Sequence, residues 1–213
     1  VELPEEYFFN LIIKKMDSII FATNNRNKVD EVRAVLGKAF NIITLQEAGI
    51  TIDIPEPHDT LEANATEKSK TIFGITGKSC FSEDTGLEVE ALNGEPGVKS
   101  ARYAGDDPGF RDNIDKLLHH LATASNKNAR FRTVISLILD EKEYFFEGIC
   151  TGRIIGDRRG NNGFGYDPVF IPDGSDKTFA EMEMPEKNKY SHRKKAMQKL
   201  ISFLNTYNGQ SKN

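Results

Sequence analysis

The feature that most constrains this chain is a pair of long strand-like runs, Arg130 to Leu139 and Glu143 to Gly156, separated only by Asp140-Glu141-Lys142. Two such runs joined by so short a polar link can only fold back on each other, which predicts an antiparallel hairpin. A parallel arrangement is closed to them, because its crossover needs about a dozen connecting residues. Every other element must attach to the edges or faces of that hairpin.

The first half has a different rhythm. Short apolar runs at Ile19 to Thr23, Phe40 to Leu45 and Ser79 to Glu83 read as strands. The last is expected to end in a turn at Thr85-Gly86. Between them lie helical patterns. Lys28 to Leu36 carries Val29, Val32, Val35 and Leu36 on one side, with Gly37 as a stop signal. Asp59 or Thr60 can cap a second helix to about Phe73, where Gly74 and Gly77 break the pattern. Pro108 or Gly109 opens a third through Leu121, with Ile114, Leu117, Leu118 and Leu121 at helical spacing. Val169 to Ile171 reads as a short strand. Ser191 to Tyr207 reads as a closing helix that buries Ala196, Leu200, Ile201 and Leu204. Interleaved strands and helices followed by a long hairpin give the class α/β with an antiparallel portion in the second half.

A chain of 213 residues is long enough to bury a substantial core, and no stretch is rich enough in linker residues to divide it into separate domains. Residues 16–207 therefore read as one domain and 208–213 as a frayed tail. In the leading residues 1–15, Tyr7 to Ile13 is apolar but follows Glu2, Glu5 and Glu6 rather than a basic segment. It is also well short of the roughly 20 apolar residues that span a bilayer. That argues against a signal peptide or membrane anchor and for a mobile extension without chemistry. The net charge of −4 argues against a general nucleic-acid binder while leaving room for a local basic pocket. Cys80 and Cys150 sit inside apolar strand-like runs and read as buried reduced thiols, which places the chain in the cytoplasm. His119-His120 reads as helix surface rather than a zinc site.

Three remote segments carry polar groups suited to a nucleoside triphosphate. The loop Thr23-Asn24-Asn25-Arg26-Asn27-Lys28 leaves a strand and enters a helix, so free backbone N–H groups and the helix dipole favour an anion there. It lacks the glycine spacing of a Walker loop. Lys68, on the following helix, could point into the same cleft. Glu83 and Asp84 end an apolar run, where α/β sheets place their chemistry. Neighbours on a strand face opposite ways, so only one of the two need enter the cleft; Asp84 is the choice, because Thr85-Gly86 is expected to make the turn that presents it. A triphosphate needs a divalent ion and lysines to spread its charge, and magnesium takes a few carboxylates plus phosphate oxygens and water. Glu56, stiffened between Pro55 and Pro57, is the second candidate ligand. At the base end, Phe164 between Gly163 and Gly165 can lie flat on a purine ring. Asp167 can accept from ring N–H groups. Ser191 caps a helix opened by His192 and Arg193, and an arginine aimed at purine position 6 favours a carbonyl over an amino group.

Taken together, these residues closely resemble the inosine triphosphate pyrophosphatase family, also described as house-cleaning dITP/XTP pyrophosphatases, from about Ile19 to Leu204. The motifs are Phe-Ala-Thr-Asn-Asn-x-x-Lys-x-x-Glu ending at Glu31, Glu-Asp-Thr-Gly-Leu from Glu83, Gly94-Glu95-Pro96-Gly97-Val98 and Ser100-Ala101-Arg102-Tyr103-Ala104-Gly105. They continue with Gly163-Phe164-Gly165-Tyr166-Asp167-Pro168, Thr178-Phe179-Ala180-Glu181-Met182 and Lys-Asn-x-x-Ser-His-Arg from Lys187. The resemblance implies an elongated α/β fold of two lobes around a long mixed sheet, a central active-site cleft and a homodimer. It implies Mg²⁺-dependent hydrolysis of ITP, dITP and XTP between the α and β phosphates.

By position, the resemblance gives Thr23, Asn24, Asn25, Arg26, Asn27, Lys28, Lys68 and Thr85 to phosphate and sugar. It gives Asp84 the roles of water-activating base and metal ligand, with Glu56 beside it. Phe164, Gly165, Tyr166, Asp167, Lys187, His192 and Arg193 would hold the base and adjoining phosphate. Two departures stand out: Asn24 replaces a common glycine, and Glu83 replaces a common second aspartate. A nucleotide sensor without catalysis is the alternative from another class, against which Asp84 and the lysines argue. A pyrophosphatase for modified pyrimidines is the nearer rival, against which the Phe-Gly-Tyr-Asp and Ser-His-Arg segments argue.

Overall fold

The computed structural model describes residues 18–36, 41–105 and 107–207. The expectations for residues 1–15, Gly37, Phe40 and the 208–213 tail lie outside them.

The long hairpin forms as expected. Strand β5 (Asn128–Leu139) pairs antiparallel with β6 (Lys142–Ile154), with Leu139 opposite Lys142. Asp140 and Glu141 make the two-residue link, both at positive φ, the geometry that matches the twist of a tight hairpin. Five further strands attach to it: β1 (Ile19–Phe21), β2 (Ile42–Thr44), β3 (Cys80–Val89), β4 (Pro96–Gly97) and β7 (Phe170–Pro172). The seven-stranded sheet runs β2-β1-β3-β5-β6-β7, with β4 beside β3. Among the described residues only β1 pairs parallel, with β2 and with β3, so the sheet is mixed.

The main helices are α1 (Arg26–Leu36), α2 (Leu61–Thr76), α3 (Asn113–His120), α4 (Met184–Lys187) and α5 (His192–Thr206). Helices α1 and α5 cover one face of the sheet through a cluster that includes Phe21, Val32, Phe81, Ile135, Met197 and Leu200. Helix α2 covers the other face over Ile20, Cys80 and Ile138. A separate cluster at the opposite end of the strands gathers Leu87, Leu117, Leu121, Phe131, Phe170 and Phe179. Each fully buried side chain of this kind contributes about 1.5–3 kcal/mol, so both ends of the sheet are independently anchored.

Three expectations need correction. Strand β3 does not turn at Thr85-Gly86 but runs on to Val89, with Asp84, Thr85 and Gly86 opposite Val134, Thr133 and Arg132 of β5. The unbroken length of β5 supplies pairing partners throughout. Gly86 serves a close approach instead, since a Cβ there would stand 2.6 Å from the Gly97 carbonyl oxygen of β4. Helix α2 passes through Gly74 and ends at Gly77, whose left-handed φ of 61° closes it with a bond to the Phe73 carbonyl. Helix α3 begins not at Pro108 or Gly109 but after Asp112, whose side chain accepts from the Asp115 amide.

Candidate active site

A cavity of 740 Å³ opens between two of these clusters. It is bordered by Ala22 and Leu45 from one cluster and by Leu87, Phe131 and Tyr166 from the other. Its size falls within the roughly 300–1,000 Å³ of small-ligand sites. Thr23, Asn24, Asn25, Lys28, Glu56, Lys68, Asp84, Thr85, Phe164, Gly165, Tyr166, Asp167, Lys187, His192 and Arg193 all border it. The first, middle and last segments singled out in the sequence thus converge on one hollow.

Arg26 and Asn27 do not reach it. They occupy the first two positions of α1, exposed, with side chains that the helical rotation turns outward before Lys28 comes round to the cavity. Asn25 caps that helix, its side-chain oxygen accepting from the Lys28 amide at 3.3 Å. Asn24 needs no left-handed backbone; its amide donates to the Ile52 carbonyl at 3.0 Å and ties the loop to the segment before Glu56.

The strand alternation expected for Glu83 and Asp84 holds. Ser82 and Asp84 face α2, where Ser82 Oγ donates to the Ala65 carbonyl and Asp84 meets Lys68. Glu83 and Thr85 face α5 and meet Arg193. The carboxylates therefore anchor two balanced ionic groups on opposite sides of one strand. In the first, Lys68 Nζ donates to Glu56 Oε1 at 2.5 Å, to the Glu83 carbonyl at 2.7 Å and to Asp84 Oδ1 at 3.3 Å. Arg102 Nη2 donates to the Glu56 carbonyl at 2.9 Å. Burial drives the Asp84 carboxyl above its ordinary range, with the Glu56 charge adding to the effect and Lys68 and Lys28 opposing it. Burial alone would raise Glu56 too, but Lys68 beside it holds that carboxyl below the usual range.

In the second group, Arg193 sends Nε and Nη2 to the two oxygens of Glu83 at 2.7 and 2.8 Å, Nη1 to Glu31 and Nη2 to Thr85 Oγ1 at 3.3 Å. Lys28 Nζ lies 3.4 Å from Glu83 Oε1. Lys187 Nζ donates to Glu31 and Asp167 at 2.7 Å each. Burial opposes the charges of Glu83 and Glu31, yet Arg193 and its lysine neighbours hold both carboxyls below their ordinary values. Lys28 is lowered, burial outweighing Glu83.

Two site residues are already engaged inside the protein. Four of the five N–H groups of Arg193 are taken by described residues, leaving one on Nη1. Asp167 already accepts from Lys187 and from the Phe164 amide at 2.9 Å. The absent Cβ at Gly163 makes room for that carboxylate, whose Oδ2 would otherwise lie 2.0 Å away, rather than for a ring; Gly165 faces open space.

His192 lies 3% exposed, its ring stacked on Phe131 at 4.7 Å and 14°. Burial, then Arg193 and Lys187, push it well below the ordinary imidazole range, so it is neutral. Its Nδ1 is buried without a hydrogen-bond partner among the described residues. Phe164 carries Lys187 and Arg193 over its ring at 5.6 and 5.7 Å.

Glu31 and Arg102 take part although neither was singled out as a site residue. Glu31 had a readable signal: it stands three positions after Lys28, an acid on the otherwise apolar buried side of α1. Arg102 carries no local signal, because its partner Glu56 is remote in sequence. Among the described residues no group of three or more His, Cys, Asp or Glu is arranged to hold a metal. Asp84 and Glu56 nevertheless converge on a single ammonium group, and two carboxylates are what a nucleotide-bound Mg²⁺ ordinarily takes from protein.

Comparison with known proteins agrees with this geometry. A profile of the Ham1 family matches residues 19–203. A dITP/XTP pyrophosphatase of Flavobacterium johnsoniae is 48% identical over 186 residues, covering 87% of this chain and 97% of its own. One of Porphyromonas gingivalis is 48% identical over 190 residues, covering 89% and 98%. Among solved structures, a HAM1 protein from Coxiella burnetii superposes with a TM-score of 0.80 at 35% identity, over 90% of this chain and all of its own. The Staphylococcus aureus Ham1 protein gives 0.78 at 38% identity, over 88% and 97%.

Proposed function

The chain belongs to the Ham1 family, and from that premise we propose that it hydrolyses the deaminated purine nucleoside triphosphates ITP, dITP and XTP between the α and β phosphates, giving monophosphate and pyrophosphate. The observation that carries the reading is a single cavity that brings Asp84, Lys68 and Lys28 together with Phe164, His192 and Arg193. Relatives named dITP/XTP pyrophosphatase support it.

Asp84 is the proton acceptor for the attacking water. A carboxylate whose proton affinity is raised by burial is a stronger base than an exposed one, and a positioned base contributes about 10²–10⁴-fold. Lys28 is placed for phosphate oxygens, and Lys68 contributes positive charge beside them while its ammonium is held by Glu56, Asp84 and the Glu83 carbonyl. The α1 N-terminus adds its dipole. Asp84 and Glu56 would hold Mg²⁺, which supplies charge neutralisation at phosphorus when bound. For the base, Phe164 offers a face, while the remaining Nη1–H of Arg193 and the His192 Nδ1, unpartnered among the described residues, are polar groups for its edge. Arg193 can only donate, so it accepts a 6-oxo group and meets the 6-amino group of adenine as donor against donor. Leaving such groups unpaired costs about 1–3 kcal/mol.

The working form is a homodimer, as the family resemblance implies. Two buried unpaired thiols support a cytoplasmic setting, and no helix among the described residues is long and apolar enough to cross a membrane. The test is a panel of ITP, dITP, XTP, ATP and GTP with and without Mg²⁺, with products identified. Metal-dependent release of pyrophosphate from the first three, favoured over ATP, is expected. Orthophosphate and a diphosphate, or no turnover, would overturn the reading.

A further inference from the structure

The first turn of α5 brings His192 and Arg193 to the cavity, and its seat on the sheet is a row of three residues with little or no side chain. Thr85 on β3 is opposite Thr133 on β5, which is opposite Gly148 on β6. A Cβ at Gly148 would stand 2.0 Å from the His192 carbonyl oxygen and 2.5 Å from the Ala196 amide nitrogen. The first hydrogen-bonded turn of the helix therefore rests directly on the backbone of β6. Farther along the strands, the row of Leu87, Phe131 and Cys150 begins the apolar cluster, and His192 stacks on its middle member. In the other direction stands Glu83, which takes the Arg193 fork.

Thr133 completes the seat. It is fully buried, and its hydroxyl lies 2.7 Å from that of Thr85, which accepts from Arg193 Nη2. A hydroxyl oxygen has two lone pairs and one hydrogen, so whichever threonine donates in this contact, the bond to Thr133 fixes the rotation of the Thr85 hydroxyl group. The Thr133 hydroxyl thus fixes the direction in which Thr85 presents its lone pair to Arg193. Neither Thr133 nor Gly148 borders the cavity.

We propose that Gly148 and Thr133 are positioning residues that set the height of the α5 first turn above the sheet, and with it the placement of His192 and Arg193 against the nucleobase. The inference rests on the reading above, in which these two residues hold the base. A methyl group at 148, 2.0 Å from the His192 carbonyl oxygen, forces the helix start to lift by more than about 1 Å to reach ordinary van der Waals contact, and a misplacement of about 1 Å already costs up to about 10²-fold in a positioned site.

The experiment measures kcat and KM for ITP and ATP in wild type, Gly148→Ala, Thr133→Val and Thr133→Ser. Gly148→Ala is expected to lower the ITP-to-ATP ratio of kcat/KM about tenfold or more. Thr133→Val, which keeps shape and loses the hydroxyl, lowers it about three- to tenfold, mainly through KM for ITP, and Thr133→Ser restores it. Simple destabilisation scales both substrates alike and leaves the ratio untouched. Should Gly148→Ala not fold, the threonine pair decides alone: a Thr133→Val ratio equal to wild type overturns the inference. A wild type with no preference for ITP would instead remove the functional reading beneath it.

Discussion

Glu83 and Asp84 are adjacent acids, both at least 95% buried, and the structure assigns them opposite energetic roles. Replacing Glu83 with glutamine removes the charge from a parallel two-bond fork to Arg193 at 2.7 and 2.8 Å and from a contact to Lys28 at 3.4 Å. Arg193 cannot shed its proton, so it is left buried with Glu31 as its remaining carboxylate among the described residues. Breaking a buried pair from one side costs about 3–5 kcal/mol. Asp84 differs: its contacts to Lys68 and Asn64 are long, at 3.3 and 3.4 Å, and burial already opposes its charge. Lys68 keeps Glu56 and the Glu83 carbonyl when Asp84 becomes asparagine. That change is expected to lie within about 1 kcal/mol of neutral. At about 2–4 °C per kcal/mol for a chain of this size, Glu83→Gln lowers Tm by roughly 6–20 °C and Asp84→Asn by less than about 4 °C. Turnover reverses the order: Asp84→Asn loses about 10²–10⁴-fold while it remains folded. Thermal scans and urea titrations of both variants, with kcat measured on the same preparations, decide it. Equal losses of stability would refute the assignment of one acid to scaffold and the other to chemistry.

Three further outcomes are expected. Arg193→Ala should narrow the ITP-to-ATP preference in kcat/KM, and an unchanged ratio would place base selection elsewhere. Because His192 is held neutral far below its ordinary value near 6.5, the unfolded chain binds a proton that the folded one refuses. Its contribution to stability is complete above that pH and falls by up to about 1.4 kcal/mol per unit as the pH drops below it. His192→Gln should flatten the acid limb of a stability-versus-pH curve, and identical slopes would sink the idea. Burial pushes the thiols of Cys80 and Cys150 up to about 12; a disulfide reagent at pH 8 should label neither in the native protein and both in denaturant, whereas rapid native labelling would contradict their placement.

What could be read in advance was local. Turn chemistry and strand length predicted the β5–β6 hairpin, and the period-two alternation separated Asp84 from Glu83, although the Thr85-Gly86 turn expected to present Asp84 does not form. What escaped depended on partners distant in sequence. Thr85-Gly86 carries a turn signal, yet ten paired residues of β5 keep it extended, and Gly86 answers to Gly97 on another strand. Asn24 stands where the family commonly has glycine, and its side-chain amide finds the remote Ile52 carbonyl. The commitment of Arg193 to Glu31 and Glu83, more than a hundred residues upstream, has no periodic signature. Residue identity announced the cavity wall; only the fold reveals which charges are already spoken for.

Those commitments bear on how the enzyme meets ions in solution. Lys28, Lys68, Arg102, Lys187 and Arg193 are each matched inside the protein by Glu31, Glu56, Glu83, Asp84 or Asp167. The hollow carries its counterions as side chains, so an arriving polyanion has few mobile chloride or phosphate ions to displace. Affinity should vary gently with ionic strength for a pocket so rich in lysine and arginine, and bystander anions should be poor competitors there.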